Sequence, residues 1–295
     1  MKNNNLVLLS IVTMFVLFIV SCDKIEHPFI TNTENIDTAK CPVPQFPVLS
    51  NVYKKILVED FTGHKCGYCP RAHTALRNLI NSYGDTIVGV ALHVSDDYAN
   101  PDPSGLYIYN FRTTVGTQID QTYHISVAGL PKGMINRTKY NNDIVISHTS
   151  WQTVVQSMLT DQPKSAVQII NNYNGSDSSF CTHIKLTFLE NITDTLMFFC
   201  GLTEDSIIKP QKNYDVTPND IPAYTHMHVF RGSLNGAFGV AISNNITLKD
   251  STLIKSYLYN LKGKDFVHKN LKVFAYIYKL NGDVVLQVEE KNIIQ

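Results

Sequence analysis

Phe61 to Pro70 reads Phe-Thr-Gly-His-Lys-Cys-Gly-Tyr-Cys-Pro, a Cys-x-x-Cys pair lying between a short apolar run and a helical pattern. Upstream, Ile56-Leu57-Val58 followed by Glu59-Asp60-Phe61 predicts a buried strand. Downstream, Ala72, Ala75, Leu76, Leu79, Ile80 and Tyr83 recur at helical spacing before Gly84. A thiolate at a helix N-terminus is stabilised by unpaired backbone N–H groups and the helix dipole, and Cys66 is expected there. Cys69 falls about one turn on, on the same face and within reach of a disulfide. The setting reads as a redox pair. A structural disulfide and half of a zinc site are the alternatives, although no second Cys-x-x-Cys or suitably spaced Cys/His pair would complete four zinc ligands.

Thr86 to Val94 is a second strand, apolar on both faces as parallel strands covered by helices are. Strand, helix and strand make a βαβ unit with the cysteines at its crossover. After the breaker Asn100-Pro101-Asp102-Pro103, Leu106 to Val115 is expected to be helical. Residues 127–137 and 143–147 predict a strand pair turning at Asn141-Asn142, and Trp151, Val154, Val155, Met158 and Leu159 predict an amphipathic helix. A domain boundary is expected near Pro163.

Beyond Ala166 the pattern becomes strand-like. Thr182, Ile184, Leu186 and Phe188 alternate with Cys181, His183, Lys185 and Thr187, and Leu196, Phe198, Cys200 and Leu202 form a comparable face. Asn281-Gly282 between Leu271–Leu280 and Val284–Val288 predicts a type I′ hairpin. The fold class expected is therefore α/β plus all-β, an α/β domain over residues 51–163 followed by an antiparallel β-sandwich over 164–295. A bridge between Cys181 and Cys200 is one possible pairing, disfavoured because one alternates with polar and the other with apolar residues.

The N-terminus carries Lys2 and an apolar run from Leu6 to Val20 that ends at Ser21-Cys22. Such a run is too short for a comfortable membrane span of about 20 residues and suits a signal peptide over residues 1–21. Ile19-Val20-Ser21-Cys22 resembles the lipobox of bacterial lipoproteins, which implies acylation of Cys22 and stable anchoring by several acyl chains. An uncleaved anchor or plain secretion is the alternative. Residues 22–50, polar and then proline-rich, read as the lipid anchor and a loose tether, with Cys41 an incidental thiol or a cap on the next domain. Export implies an oxidising compartment. With Cys22 set aside, five of the 6 cysteines remain, an odd number. Lys plus Arg number 25 and Asp plus Glu 25, which offers no basic field for nucleic acid.

Other candidate residues surround the motif. His64 and Lys65 are expected to add positive character beside Cys66. Asp60 at the strand end is a candidate proton carrier, and Pro131 before the next strand has the setting of a cis-proline. His93 with Asp96, Asp97 and Asp102, and His226 with His228 on one strand face, are conceivable metal or acid–base groups. A solvated acidic loop and a half-exposed strand explain them more simply.

The Cys-x-x-Cys at a strand-to-helix junction, Asp60 six residues before Cys66, and Gly129-Leu130-Pro131 together resemble the thioredoxin-like superfamily over residues 50 to 163. That resemblance implies Cys66 as the attacking thiol, Cys69 as the resolving thiol, a buried Asp60 assisting proton transfer, Pro131 facing the disulfide, and no dissociable cofactor. Adding Val58-Glu59-Asp60-Phe61-Thr62-Gly63, Cys66-Gly67-Tyr68-Cys69-Pro70-Arg71 and His226-Met227-His228-Val229-Phe230-Arg231, the chain resembles the Omp-twenty-eight family. This implies a lipoprotein held at the outer membrane through Cys22, facing the periplasm or the cell surface, with a β-rich C-terminal domain. Two functions follow as expectations. One is thiol-disulfide exchange on exported protein thiols; the other is binding of a surface protein partner, in which Cys66–Cys69 is a structural bridge.

Overall fold

Alternation along the first strand decides which side chains meet. In the computed structural model, which describes residues 40–294, β1 (Ile56–Thr62) is buried along its whole length. Successive side chains of a strand point to opposite faces. Ile56 and Val58 pack with α1 (Cys69–Tyr83) and α4 (Trp151–Met158), whereas Leu57 and Phe61 join a second core on the other face. Asp60 and Thr62 thus share the face of α1, and Glu59 the opposite one. β2 (Ile87–His93) pairs parallel with β1, Thr62 opposite His93, so the expected βαβ unit is present.

After β2 come a short helix α2 (Asp96–Ala99), then α3 (Thr114–Tyr123), then β3 (Lys132–Ile135), antiparallel to β1. The helix expected over 106–115 is not formed. Tyr107 and Phe111 are buried from an irregular segment, and α3 begins only where the Thr113 hydroxyl caps it by accepting from the Gly116 N–H at 2.9 Å. The turn at Asn141-Asn142 is present, with left-handed φ of 51° and 68°. Its return arm meets β3 only through an isolated bridge between Gly133 and Ile146.

The remaining strands are β4 (Ser165–Asn174), β5 (Ser179–Phe188), β6 (Leu196–Glu204), β7 (Ile207–Lys212), β8 (Asp220–His226), β9 (Val229–Ser233), β10 (Val240–Ala241), β11 (Thr252–Asn260), β12 (Leu271–Lys279) and β13 (Val285–Asn292). The β12–β13 hairpin forms, but its left-handed residues are Gly282 and Asp283, one place later than a two-residue Asn-Gly turn requires. A mixed sheet in the order β13-β12-β6-β9-β2-β1-β3 joins strands from both sides of residue 163. Its β6–β12–β13 part packs against the antiparallel sheet β11-β5-β4 around Phe180, Ile184, Phe198, Leu202 and Ile277. The expected combination of an α/β half and an antiparallel half is found, and the two share one sheet.

Two cysteine expectations are corrected. Cys41 is neither free nor a mere cap, for it forms a disulfide with Cys181 across a sequence separation of 140. Cys200, buried against the sandwich core, is the free thiol among the described residues, and Cys181 pairs with Cys41, so the Cys181–Cys200 pairing does not exist. Residues 40–50 are also not a loose spacer, since Cys41 is buried and the Pro47 carbonyl accepts from the Gln168 amide at 2.9 Å. The signal peptide over 1–21 and Cys22 lie outside the described residues.

Candidate functional site

The cysteine loop is built by close backbone approaches that its glycines permit. A Cβ on Gly63 would lie 2.4 Å from the Tyr98 carbonyl oxygen, and the neighbouring Lys65 N–H donates to that same oxygen at 2.9 Å. The Cys66 N–H donates to Gly63 at 3.0 Å and the Cys69 N–H to Cys66 at 3.2 Å. Cys66 and Cys69 form a disulfide with Cα atoms 5.4 Å apart. The helix begins at Cys69, with Pro70 in the first turn, where its missing N–H costs no hydrogen bond. Cys66 therefore sits in the turn before α1, not at the helix N-terminus as expected, and its N–H is already committed to Gly63.

Nor is the loop electropositive as its sequence suggests. His64 is buried between Tyr107 and Phe111, and burial pushes its pKa down to about 4, so the ring is neutral. Lys65 pairs with Asp102 at 2.9 Å. The acidic loop after His93 also dissolves as a site, for Asp96 pairs with Arg112 and Asp97 donates its N–H to Ser95. His93 instead stacks on Phe111 at 4.3 Å. His226 and His228 part company because β8 ends at His226 and His228 takes a left-handed φ of 56°. His228 contacts Asp205 at 3.2 Å while His226 turns inward toward His93, with ring centroids 5.5 Å apart. No group of three His, Cys, Asp or Glu among the described residues is arranged to hold a metal ion.

Beneath the loop, strand alternation brings Asp60, Thr62 and His93 to the face covered by α1. Asp60 is 0 % exposed and neither carboxyl oxygen has a hydrogen-bond partner. Burial raises its pKa well above the ordinary value, which keeps the proton on the group. His73 of α1 brings Nε2 to 3.8 Å from Asp60 Oδ2 and to 2.8 Å from the Thr62 hydroxyl, while its Nδ1 lies 2.8 Å from the Tyr224 hydroxyl. Burial, with His226 and Arg77 nearby, pushes its pKa down to about 3. His73 carries no sequence motif beyond its helical spacing from Cys69, and Tyr224 belongs to the stretch Tyr224 to Arg231 whose histidines, and not its tyrosine, draw attention in the sequence.

The β7–β8 hairpin closes over the disulfide. The Lys212 N–H donates to the His64 carbonyl and the Tyr214 N–H to the Gly67 carbonyl, each at 2.8 Å. The buried Gln211 amide donates to the carbonyls of Gly63 at 3.2 Å and Cys66 at 3.1 Å. The Tyr214 ring lies where a Cβ on Gly67 would be, 2.4 Å away, and Arg71 makes a two-pronged ion pair with Asp215 at 2.8 and 2.6 Å. Cys66 is 2 % exposed and Cys69 0 %. Pro131 stands next to β3, whose first residue Lys132 faces Phe61, so it is at the same end of the sheet; the Leu130–Pro131 bond is cis.

The opposite face of the shared sheet holds a second polar group. Arg137 is buried and donates to Glu59 at 2.9 and 2.7 Å and to the Tyr276 hydroxyl at 2.7 Å. The rings of Tyr123, Tyr276 and Tyr278 surround its guanidinium at 5.3 to 5.6 Å. Arg137 thereby ties β1 to β12 across the two halves of the chain.

These features define a mixed α/β and β protein with a Cys-x-x-Cys disulfide at a βαβ crossover, sealed by a hairpin from its own β-rich half. The family model described as outer membrane protein Omp28 matches residues 118–295, and the chain belongs to that family. Among solved structures it is similar to HBP35 of Porphyromonas gingivalis, at 16% identity over 83% of this chain and 77% of that one, TM-score 0.60. A protein of Agrobacterium tumefaciens is similar at 13% identity over 83% and 97% of the two chains, TM-score 0.51. Both likenesses concern the fold alone. A domain of the outer membrane lipoprotein Omp28 from Porphyromonas gingivalis matches at 20% identity over 44% of this chain and 88% of that one, TM-score 0.29. No curated protein matches the chain.

Proposed function

We propose that the chain is an outer-membrane lipoprotein, anchored by lipid on Cys22, whose thioredoxin-like half exchanges disulfides with exported protein thiols through Cys66 and Cys69. The observation that carries this reading is Asp60. A carboxyl buried without any hydrogen-bond partner is costly, and such a group on the β1 face covered by the helix that begins at Cys69 is better explained by proton transfer than by stability. In the exchange a substrate thiolate attacks the Cys66 sulfur and breaks its bond to Cys69. Cys69 leaves as a thiolate and takes the Asp60 proton, and a second substrate thiolate then releases Cys66. Two electrons thereby pass from substrate dithiol to the protein disulfide; in the reverse direction the Cys66 thiolate attacks a substrate disulfide and Cys69 resolves it, and no dissociable cofactor takes part in either. The test replaces Cys69 with Ser and seeks mixed disulfides on Cys66 in cells. No trapped partner, together with no insulin reduction by the wild type, sinks the proposal.

A second reading is favoured by the burial of both cysteines. In it the pair is a structural bridge of a surface-binding lipoprotein, and the aromatic content, 14 Phe and 15 Tyr, serves an interface with a protein partner. The reduction potential separates the two. A value below about −300 mV marks a structural disulfide, and one between those of thioredoxin and the isomerases marks an exchanger.

A further inference from the structure

Asp60 gives up its proton as Cys69 leaves, yet it has no exposure and the hairpin seals the loop above it, so a proton from solvent reaches it only through neighbouring groups. His73 is placed to solve this. It is four residues after Cys69 on α1, hence on the same helical face, and its side chain keeps 16 % of its surface in solvent. Nε2 looks inward, 3.8 Å from Asp60 Oδ2 and 2.8 Å from the Thr62 hydroxyl. Nδ1 looks outward to the hydroxyl of half-buried Tyr224 at 2.8 Å. The three residues form a line from a sealed carboxyl to the surface.

A neutral imidazole suits this position, because one ring nitrogen accepts while the other donates. A proton arriving at Nδ1 is matched by one leaving Nε2, and the ring need never carry a charge. Its surroundings enforce that. Arg77 on the same helix and His226 and His228 from β8 and the turn after it all disfavour an imidazolium, while Asp60 and Thr62 from β1 and Tyr224 from β8 face the two nitrogens.

We propose that His73 and Tyr224 are positioning residues that feed a proton from solvent to Asp60 while each reduction of the Cys66–Cys69 disulfide draws on it. The proposal rests on the redox reading above. Asp60 gives its proton to the departing Cys69 thiolate; water protonates the Tyr224 hydroxyl as that hydroxyl passes its proton to Nδ1, and Nε2 passes one to the Asp60 carboxylate. One proton enters and one is consumed, with no change in the charge of the relay. Tyr224 comes from the β-rich half, so the α/β half alone lacks the outer end of the path.

The test follows reduction of the pair by dithiothreitol in the full chain between pH 5 and 9, with alkylation and peptide mass spectrometry to separate it from Cys41–Cys181. At pH 7 we expect His73→Phe to slow reduction about tenfold or more and to reshape the pH profile. Tyr224→Phe, which removes only an oxygen and leaves the ring packed, should give a smaller loss of the same form. Free imidazole should restore rate to His73→Ala. A purely structural role would shift thermal stability or reduction potential and leave the pH profile alone. If the wild type is readily reduced and both variants overlay its profile, the relay is wrong while the redox reading stands. A wild-type potential below about −300 mV removes the redox reading, and the relay with it.

Discussion

The side-chain amide of Gln211 donates to the carbonyl of Cys66 at 3.1 Å, so a residue of the β-rich half holds the backbone of the cysteine expected to be the attacking thiol. The same nitrogen also binds Gly63 and Lys212, which makes Gln211 the knot between hairpin and loop. Replacing it with Ala removes these bonds between hairpin and loop, although Gly63 and Cys66 keep the N–H donors of Cys66 and Cys69, at a cost of about 1–3 kcal/mol. The hairpin should then open more often, and reduction of Cys66–Cys69 by dithiothreitol should speed up about fivefold or more. An alkylation time course measures it; an unchanged rate would show that the hairpin does not limit access.

Asp60 gives a pH signature of known sign. Its folded pKa lies above the ordinary 3.8, so the folded chain keeps a proton that the unfolded chain has lost. Stability is undiminished below 3.8 and falls as pH rises from there through the folded value. Asp60→Asn removes the ionisable group and with it that slope, so the oxidised protein should gain stability at pH 7 relative to pH 4. Urea unfolding of both proteins at pH 4 and 7 checks this, with the gain expected only at the higher pH.

The buried histidines act in the opposite direction. His64 and His226 are held neutral with pKa values near about 4, below the ordinary 6.5, chiefly by burial. Above pH 6.5 they contribute no pH dependence. Between 6.5 and 4 the unfolded chain takes up protons that the fold refuses, so stability falls on acidification. His226→Phe should flatten the loss over that interval, as read from denaturation midpoints at pH 4.5, 5.5 and 6.5.

Arg137 and Glu59 predict a structural effect distinct from the redox chemistry. Removing one member of a buried pair leaves an uncompensated charge and costs about 3–5 kcal/mol. Glu59→Gln should lower the unfolding free energy by about 3–5 kcal/mol while leaving the reduction potential of Cys66–Cys69 unchanged. Because Arg137 reaches Tyr276 as well as Glu59, the loss should appear in both halves of the chain together, in one unfolding transition by hydrogen exchange.

The βαβ unit and the terminal hairpin were legible because each is written in local spacing, apolar residues at period two or near four and a turn pair between strands. Tyr107 and Phe111 imitate that signal. Four residues apart, they read as one face of a helix, yet they cover His64 and His93 from an irregular segment. His64 and Lys65 read as positive charges for a related reason, since sequence gives residue type and not burial or partner. Gln211, Tyr224 and Arg137 act across long stretches of chain and leave no periodic trace near Cys66. The pairing of Cys41 with Cys181 is of that kind too, for the alternation of Cys181 with polar residues describes its own strand and says nothing of a segment that docks on it.

The Cys41–Cys181 disulfide also sets how the protein bears a pull. Tension applied between the chain ahead of Cys41 and any point after Cys181 has a covalent shortcut, and residues 42–180 lie outside it. The cysteine loop, Asp60 and α1 are in that bypassed segment. If the N-terminal side is fastened to a membrane and the β-rich half is tugged, the strain runs through the bridge and into β5, and the sealed disulfide hangs beside the load, not within it. With Cys41 replaced by Ser the same pull would enter at β1 and reach the sheet end that carries Cys66.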